Sequence, residues 1–165
     1  MIKLIVLDVD GCLTDGKLYY SNDIVETKTF NVKDGLGIAT WLKLGNHIAI
    51  ITGRKSKIVE YRAKELGIKY FYQGIREKGK VLKELVDELD IGLENVAGIG
   101  DDLNDLSMLN IMGKSFTPKN GVRQVKNSVD CILSYNGGDG AVREMIEMLV
   151  KENNQEKEFL EVWLP

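Results

Sequence analysis

Residues 3–16 read KLIVLDVDGCLTDG, an apolar run that passes directly into Asp8, Asp10 and Asp15. The run has the length and composition of a strand buried on both faces of a sheet. Clustered carboxylates repel one another unless a cation neutralises them. In a doubly wound sheet the carboxyl end of a strand is also where ligands bind. The position favours a functional site, although acidic loop residues commonly just cap the next element.

Four more apolar runs have the character of strands, the last of them less clearly: 47–51, 70–72, 96–99 and 131–133. Apolar residues with helical spacing fill two of the intervals, 58–67 and 81–89, and the first of these ends in a glycine. This alternation predicts an α/β fold of the Rossmann-like, doubly wound type, with a mostly parallel sheet and helices on both faces.

One segment departs from the alternation directly after the first strand. Residues 17–20 and 25–30 are rich in β-forming side chains, and Ser21, Asn22 and Asp23 between them are turn formers. We predict a β-hairpin at about 17–31, with an ordinary long loop as the alternative. The remaining pattern predicts a single domain over 1–150 and a C-terminal tail over 151–165, whose apolar end we expect to dock on another surface.

The composition excludes several classes of protein. With 165 residues, 44% hydrophobic and 28% charged, the chain fits one globular domain, and no apolar run approaches the roughly 20 residues that span a bilayer. The first residues have no signal-peptide pattern, so we expect a cytoplasmic protein. A net charge of −3 argues against nucleic-acid binding. Cys12 and Cys131 form no metal-ligand or redox spacing and are interpreted as buried or incidental thiols.

A second acidic cluster, GIGDDLND, follows the run 96–99 and contains Asp101, Asp102 and Asp105. If the two acid-terminated strands are neighbours, Asp8, a nearby backbone carbonyl and Asp101 offer hard oxygen ligands to Mg²⁺. The alternative for this cluster is a set of acids that cap the start of a helix, a role that Asp105 also fits in part.

Two further residues suit a phosphate group. Thr52 closes the second strand in IITGR, and Lys78 stands in REKGKVL near a predicted helix start. A hydroxyl donates hydrogen bonds to phosphate oxygens, and an ammonium offsets the charge on both the phosphate and an attacking carboxylate. Each residue would be unremarkable in isolation. Their order in the sequence after the acidic motif favours a role in phosphate binding.

Together these motifs resemble those of the haloacid dehalogenase superfamily of phosphotransferases, in the order Asp8–Gly16, Thr52, Lys78 and Gly100–Asp105. The resemblance implies that Asp8 is the nucleophile, that Asp10 is the general acid and then the general base, and that Thr52 and Lys78 clamp the phosphate. It also implies that Asp101 binds Mg²⁺ beside Asp8 and the carbonyl of Asp10, with support from Asp105. The gaps between the motifs leave no room for a cap domain.

Finer stretches resemble the capless, tetrameric phosphatases of 3-deoxy-D-manno-octulosonate 8-phosphate, which serve lipopolysaccharide synthesis: FNVKDGLGI (30–38), TGRKSKIVEYRAKELGI (52–68), YQG (72–74) and GGDGAVRE (137–144). The resemblance implies a homotetramer that acts on a small sugar-acid phosphate. Arg54 would bind the sugar carboxylate, because a guanidinium pairs with it bidentately. Arg62 is a second candidate for substrate binding, with a helix-surface arginine as the alternative. A phosphatase of sialic-type 9-phosphates and a catalytically idle oligomerisation module remain open.

Overall fold

The computed structural model describes residues 1–164. Its strands are β1 (Leu4–Leu7), β2 (Tyr19–Tyr20), β3 (Glu26–Thr27), β4 (His47–Thr52), β5 (Tyr70–Gln73), β6 (Val96–Ile99), β7 (Lys114–Thr117) and β8 (Cys131–Ile132). Its α-helices are α1 (Val32–Lys43), α2 (Lys57–Glu65), α3 (Lys78–Leu89), α4 (Leu106–Leu109), α5 (Arg123–Lys126), α6 (Ala141–Glu152) and α7 (Glu156–Glu161).

Six strands form one parallel sheet in the order β5-β4-β1-β6-β7-β8. The chain leaves β1 toward one edge through β4 and β5, and then crosses back to continue from β6 toward the other edge. Strand order therefore reverses beside β1, and such a reversal opens a crevice at the carboxyl ends of the two strands that flank it. The crevice lies between β1 and β6. The predicted doubly wound sheet is confirmed.

Side chains of β1 alternate between two apolar layers, because successive residues of a strand point to opposite faces. Ile5 and Leu7 join the layer that includes Trp41 of α1 and residues of α2 and α6. Leu4 and Val6 join the layer formed with α3, α4 and α5. Burial on both faces explains why β1 has no polar residue, and it confirms the prediction of helices on both sides of the sheet.

The hairpin is also confirmed, although its ladder is short. Tyr19 pairs with Thr27 and Tyr20 pairs with Glu26, and these are the only two pairs of this antiparallel ladder. Between β1 and β4 the described chain adds only this hairpin and α1, and between β4 and α3 only α2 and β5. Residues 1–164 thus contain no cap domain.

Strand β7 is missing from the sequence prediction. Its residues, KSFT, contain one large apolar side chain, Phe116, which is fully buried. Two hydroxyl residues and a lysine obscure the pattern of a core strand, and the strand exists because β6 and β8 pair with it on both sides. None of the helices in the described residues is long and apolar enough to span a bilayer.

The segment 151–165, predicted as a tail, begins with the last residues of α6 and continues into α7. Phe159 of α7 is buried in the apolar layer that contains α6. Asn153, between the two helices, exchanges two hydrogen bonds with the backbone of Ile2 at the start of the chain. Trp163 donates to the hydroxyl of Thr40 in α1. Asn153, Phe159 and Trp163 therefore contact the rest of the same chain, whereas the side chains of Leu160 and Leu164 are exposed.

Candidate active site

Both acidic clusters lie at the crevice beside β1. Asp8 directly follows β1 and is buried, and its backbone amide donates to the carbonyl of Ile99 at the end of β6 (3.1 Å). Asp101 follows two residues after Ile99. The adjacent parallel strands β1 and β6 thus place the first aspartate of each motif close together.

The turn after β1 brings its backbone against the second cluster. Gly11 adopts a φ of +101°, a conformation that side chains other than glycine rarely accept. A Cβ at Gly11 would collide with the carboxylate of Asp101. The loop 137–140 (GGDG) packs against this turn. The amide of Gly138 donates to the carbonyl of Cys12 (2.9 Å), and a Cβ at Gly137 would collide with the carbonyl of Gly11.

Lys78 is the first residue of α3 and is fully buried. Its ammonium donates to Asp8 (2.6 Å) and to Asp105 (2.5 Å). The other oxygen of Asp105 accepts from the amides of Asp101 (2.9 Å) and Asp102 (3.2 Å). Burial lowers the pKa of Lys78, but Asp8 and Asp105 outweigh that effect and raise it. Lys78 therefore stays charged and fixes both carboxylates.

The cluster has more negative charge than Lys78 can balance. Burial, followed by the proximity of Asp105, raises the pKa of Asp8 to about 8 and that of Asp101 to about 7. Ligand atoms of Asp8, Cys12 and Asp101 lie within 4.8 Å of one another. Two carboxylates beside a backbone turn fit a small hard cation such as Mg²⁺. Burial, and then the charge of Asp8, raises the pKa of the Cys12 thiol, so it stays protonated and is a poor ligand for such an ion.

Asp10 faces a different neighbourhood. Its carboxylate forms a close ion pair with Lys28, a buried residue that directly follows β3. Lys28 also lies 3.4 Å from Glu26, and Glu26 accepts a hydrogen bond from Arg54 (2.6 Å). Two predicted site residues, Asp10 and Arg54, are therefore linked through the hairpin. The sequence motifs do not include Lys28 and Glu26. The available signal is a pair of opposite charges two residues apart in the segment 25–30, which is rich in β-forming residues.

Thr52 and Arg62 occupy different positions relative to this site. Thr52 is the last residue of β4 and is buried, and the pairing of Leu7 with Ile50 places it beside the end of β1. Arg62 binds Glu65 (2.7 Å) and packs over the ring of Phe30, with its guanidinium against Gly35 of α1. Within residues 1–164 none of these contacts of Arg62 is with the acidic cluster.

The sheet topology combines with four features at the strand ends: an aspartate pair after the first strand, a strand-end threonine, a buried lysine and a second acidic cluster. This combination defines a haloacid dehalogenase-like phosphotransferase. A family model described as haloacid dehalogenase-like hydrolase matches residues 71–146.

More specific relatives cover almost the whole chain. The 3-deoxy-D-manno-octulosonate 8-phosphate phosphatase KdsC of Haemophilus influenzae is 39% identical over 158 residues, which is 96% of this chain and 88% of the relative. The enzyme of the same name from Escherichia coli is 42% identical over 149 residues, 90% of this chain and 79% of the relative.

Solved structures agree with this relationship. The crystal structure of 3-deoxy-D-manno-octulosonate 8-phosphate phosphatase from Moraxella catarrhalis, in complex with magnesium, phosphate and a KDO molecule, has a TM-score of 0.94 and 42% identity, and the match covers 98% of this chain and 93% of that one. The chain therefore belongs to the family of 3-deoxy-D-manno-octulosonate 8-phosphate phosphatases.

Proposed function

We propose that this protein hydrolyses 3-deoxy-D-manno-octulosonate 8-phosphate to the free sugar acid and inorganic phosphate, with Mg²⁺ held by Asp8, Asp101 and the carbonyl of Asp10. The observation that carries the proposal is the placement of Asp8. Its carboxylate is buried at the switch point of the sheet, bonded to Lys78 and clustered with Asp101. The relatives that match at least 90% of this chain carry the name of this activity.

Asp8 supplies the nucleophile of the proposed reaction. One of its oxygens attacks the phosphorus, the bond between phosphorus and the sugar oxygen breaks, and an aspartyl-phosphate forms on Asp8. The sugar oxygen takes the electron pair of the broken bond and a proton from Asp10, which enters this step in its protonated form. Water then attacks the phosphorus, Asp10 takes a proton from that water, and Asp8 leaves as a carboxylate.

Two more residues, Lys78 and Thr52, are proposed to contact the phosphate. Lys78 is held on Asp8 by its bond to Asp105, so its ammonium needs no rearrangement to face the transferring group. The hydroxyl of Thr52, at the adjacent strand end, donates to a phosphate oxygen. Mg²⁺, when bound, supplies the further positive charge that allows a carboxylate to approach an anionic ester.

Arg54 is proposed to recognise the carboxylate of the sugar acid. It stands two residues after Thr52, and its guanidinium is partly exposed. Because the contacts of Arg62 within its own chain lie against α1 and Glu65, we assign Arg62 to the site of a neighbouring subunit.

We also propose that the protein is a homotetramer whose subunits cover one another's sites. The hairpin supports this proposal, because its large apolar side chains are exposed: Leu18, Tyr19, Tyr20, Ile24 and Val25. Exposed apolar patches of this kind commonly mark an interface. Sedimentation at several protein concentrations tests the assembly, and a monomer throughout the range would contradict it.

The function is tested by phosphate release from the purified protein with Mg²⁺. The substrates are 3-deoxy-D-manno-octulosonate 8-phosphate and a sialic-type 9-phosphate, and Asp8→Asn is the matched variant. Turnover that prefers the eight-carbon acid and disappears in the variant is expected. Preference for the nine-carbon acid would instead identify the protein as a phosphatase of sialic-type 9-phosphates. A folded, magnesium-loaded protein that releases phosphate from neither would refute the assignment and favour an idle module.

A further inference from the structure

Four charged side chains form a continuous chain of ion pairs that begins at Asp10 of the site. Asp10 binds Lys28, Lys28 lies 3.4 Å from Glu26, and the same oxygen of Glu26 accepts from Arg54 at 2.6 Å. The charges alternate in sign along this chain. It connects the proposed general acid to the arginine that is proposed to bind substrate.

The hairpin builds the middle of this chain. Glu26 and Lys28 are two residues apart, a spacing that places side chains on the same side of an extended segment. Tyr20, paired with Glu26 across the hairpin, also faces Arg54, and its hydroxyl, together with the charge of Glu26, raises the pKa of the guanidinium. Two residues of the hairpin therefore lie at Arg54, and Glu26 is the one that forms the hydrogen bond.

Burial decides which member of the chain is the anchor. The side chain of Lys28 is 2% exposed, that of Glu26 is 20% exposed and that of Arg54 is 41% exposed. The buried ammonium of Lys28 holds the carboxylate of Glu26 in place, so Glu26 is a fixed support for the more exposed guanidinium of Arg54. A guanidinium has five N–H donors, and the single oxygen of Glu26 leaves most of them for another anion.

We propose that Glu26 is a positioning residue that orients Arg54 toward the carboxylate of the substrate, with Lys28 holding Glu26 in place. The inference rests on the proposed function, because it needs a substrate that has a carboxylate. It assigns the hairpin a part in substrate selection within its own subunit, in addition to any contact between subunits.

The experiment compares two substrates in the same protein. The ratio of kcat/KM for 3-deoxy-D-manno-octulosonate 8-phosphate to kcat/KM for p-nitrophenyl phosphate, which has no carboxylate, reports selection for the acid. Glu26→Gln is expected to lower this ratio about tenfold, mainly through KM for the sugar acid, since charge-assisted hydrogen bonds to guanidinium groups are strong. Glu60→Gln is the matched control, because Glu60 pairs with Lys64 on the exposed face of α2.

A double-mutant cycle separates positioning from a general structural effect. In an Arg54→Met background, Glu26→Gln is expected to leave the ratio unchanged, because Glu26 then has no guanidinium to orient. An equal loss with both substrates, or the same loss in the Arg54→Met background, would overturn the role of Glu26. A lower KM for the sugar acid would also overturn it, because Glu26 would then be a competitor for Arg54. Glu26→Asp provides a second test should the glutamine variant fail to fold.

The two hypotheses fail in different ways. If the unmodified protein releases phosphate from p-nitrophenyl phosphate but not from the sugar acid, the proposed function is wrong, and the role of Glu26 is wrong with it. If the unmodified protein turns over the sugar acid and Glu26→Gln keeps the ratio, only the role of Glu26 is wrong.

Discussion

Asp34 should make the stability of this protein depend on pH in a direction opposite to that of most aspartates. It is 1% exposed, one of its oxygens accepts from the amide of Arg143 (2.8 Å), and the other is buried without a partner in the described residues. Burial raises the pKa of Asp34 from 3.8 to about 6, against the opposing effect of the nearby backbone amides, chiefly that of Arg143. Between these two pKa values the folded chain keeps a proton that the unfolded chain has lost. The free energy of unfolding therefore falls as the pH rises through this window. Above about pH 6 Asp34 is ionised in the folded protein, and the destabilisation by its buried charge is complete.

The size of the effect follows from the pKa shift. About two pKa units correspond to roughly 3 kcal/mol of unfolding free energy above the window. Asp34→Asn removes the charge and keeps an oxygen that can accept from the amide of Arg143. We expect this variant to be more stable than the unmodified protein by about 2–3 kcal/mol at about pH 8, with the advantage falling below about 1 kcal/mol at about pH 4. Urea unfolding at fixed protein concentration measures both values. An advantage that is the same at the two pH values would refute the reasoning.

Asp130 provides a control of opposite sign. Hydrogen bonds from the amide and the hydroxyl of Ser115, each 2.8 Å long, lower the pKa of Asp130. Its contribution to stability is present above the pKa of the unfolded chain and is lost as the pH falls through the folded pKa. Asp130→Asn should therefore destabilise the protein at neutral pH and have progressively less effect in acid.

Three further substitutions test other parts of the structure. Lys78→Met leaves two buried carboxylates without their ammonium, so it should cost about 3–5 kcal/mol of unfolding free energy and abolish phosphate release; adding Asp105→Asn should restore part of the stability and none of the activity. Gly11→Ala should weaken Mg²⁺ binding, measured by calorimetry, because the new Cβ would collide with the carboxylate of Asp101. Gly45→Ala is the control, because Gly45 also has a positive φ (+81°) but has open space around it. The control should lower the free energy of unfolding by only about 1 kcal/mol and leave Mg²⁺ binding unchanged. Phe159→Ala should cost about 3 kcal/mol in unfolding; unchanged subunit stability with loss of the oligomer would show instead that α7 packs on a neighbour.

The sequence predicts the elements whose pattern is local. β1 and β6 are recognisable because strands buried on both faces read as continuous apolar runs, and the acids after them stand out because such runs rarely end in carboxylates. β7 escapes prediction because its one large apolar residue, Phe116, gives no periodicity, and its strand conformation is imposed by neighbours that are distant in sequence.

The chain of ion pairs through the hairpin could not be found in the same way. Glu26 and Lys28 are charged residues in a short, polar hairpin, and such residues are usually solvated. Only the packing of the hairpin on the turn after β1 buries Lys28 against Asp10 and brings Glu26 to Arg54. The position of Arg54 after Thr52 predicts a role in substrate binding, but the orientation of its side chain depends on tertiary contacts with the hairpin.

Charge balance at the crevice connects the stability of the site to its chemistry. Three buried or partly buried carboxylates, those of Asp8, Asp101 and Asp105, face the single ammonium of Lys78, so the ionised cluster has two negative charges in excess, which one divalent cation balances. Without a cation, Asp8 keeps a proton in neutral solution, because its pKa is about 8. A protonated carboxyl is a poor nucleophile, so Asp8 and Asp101 should release protons when Mg²⁺ binds at about pH 7. Calorimetry in two buffers that differ in ionisation enthalpy measures that release, and Asp8→Asn should reduce it. Mg²⁺ binding without proton release would mean that Asp8 is already ionised before the cation binds. The neighbouring protein groups would then be sufficient to keep Asp8 in its nucleophilic form.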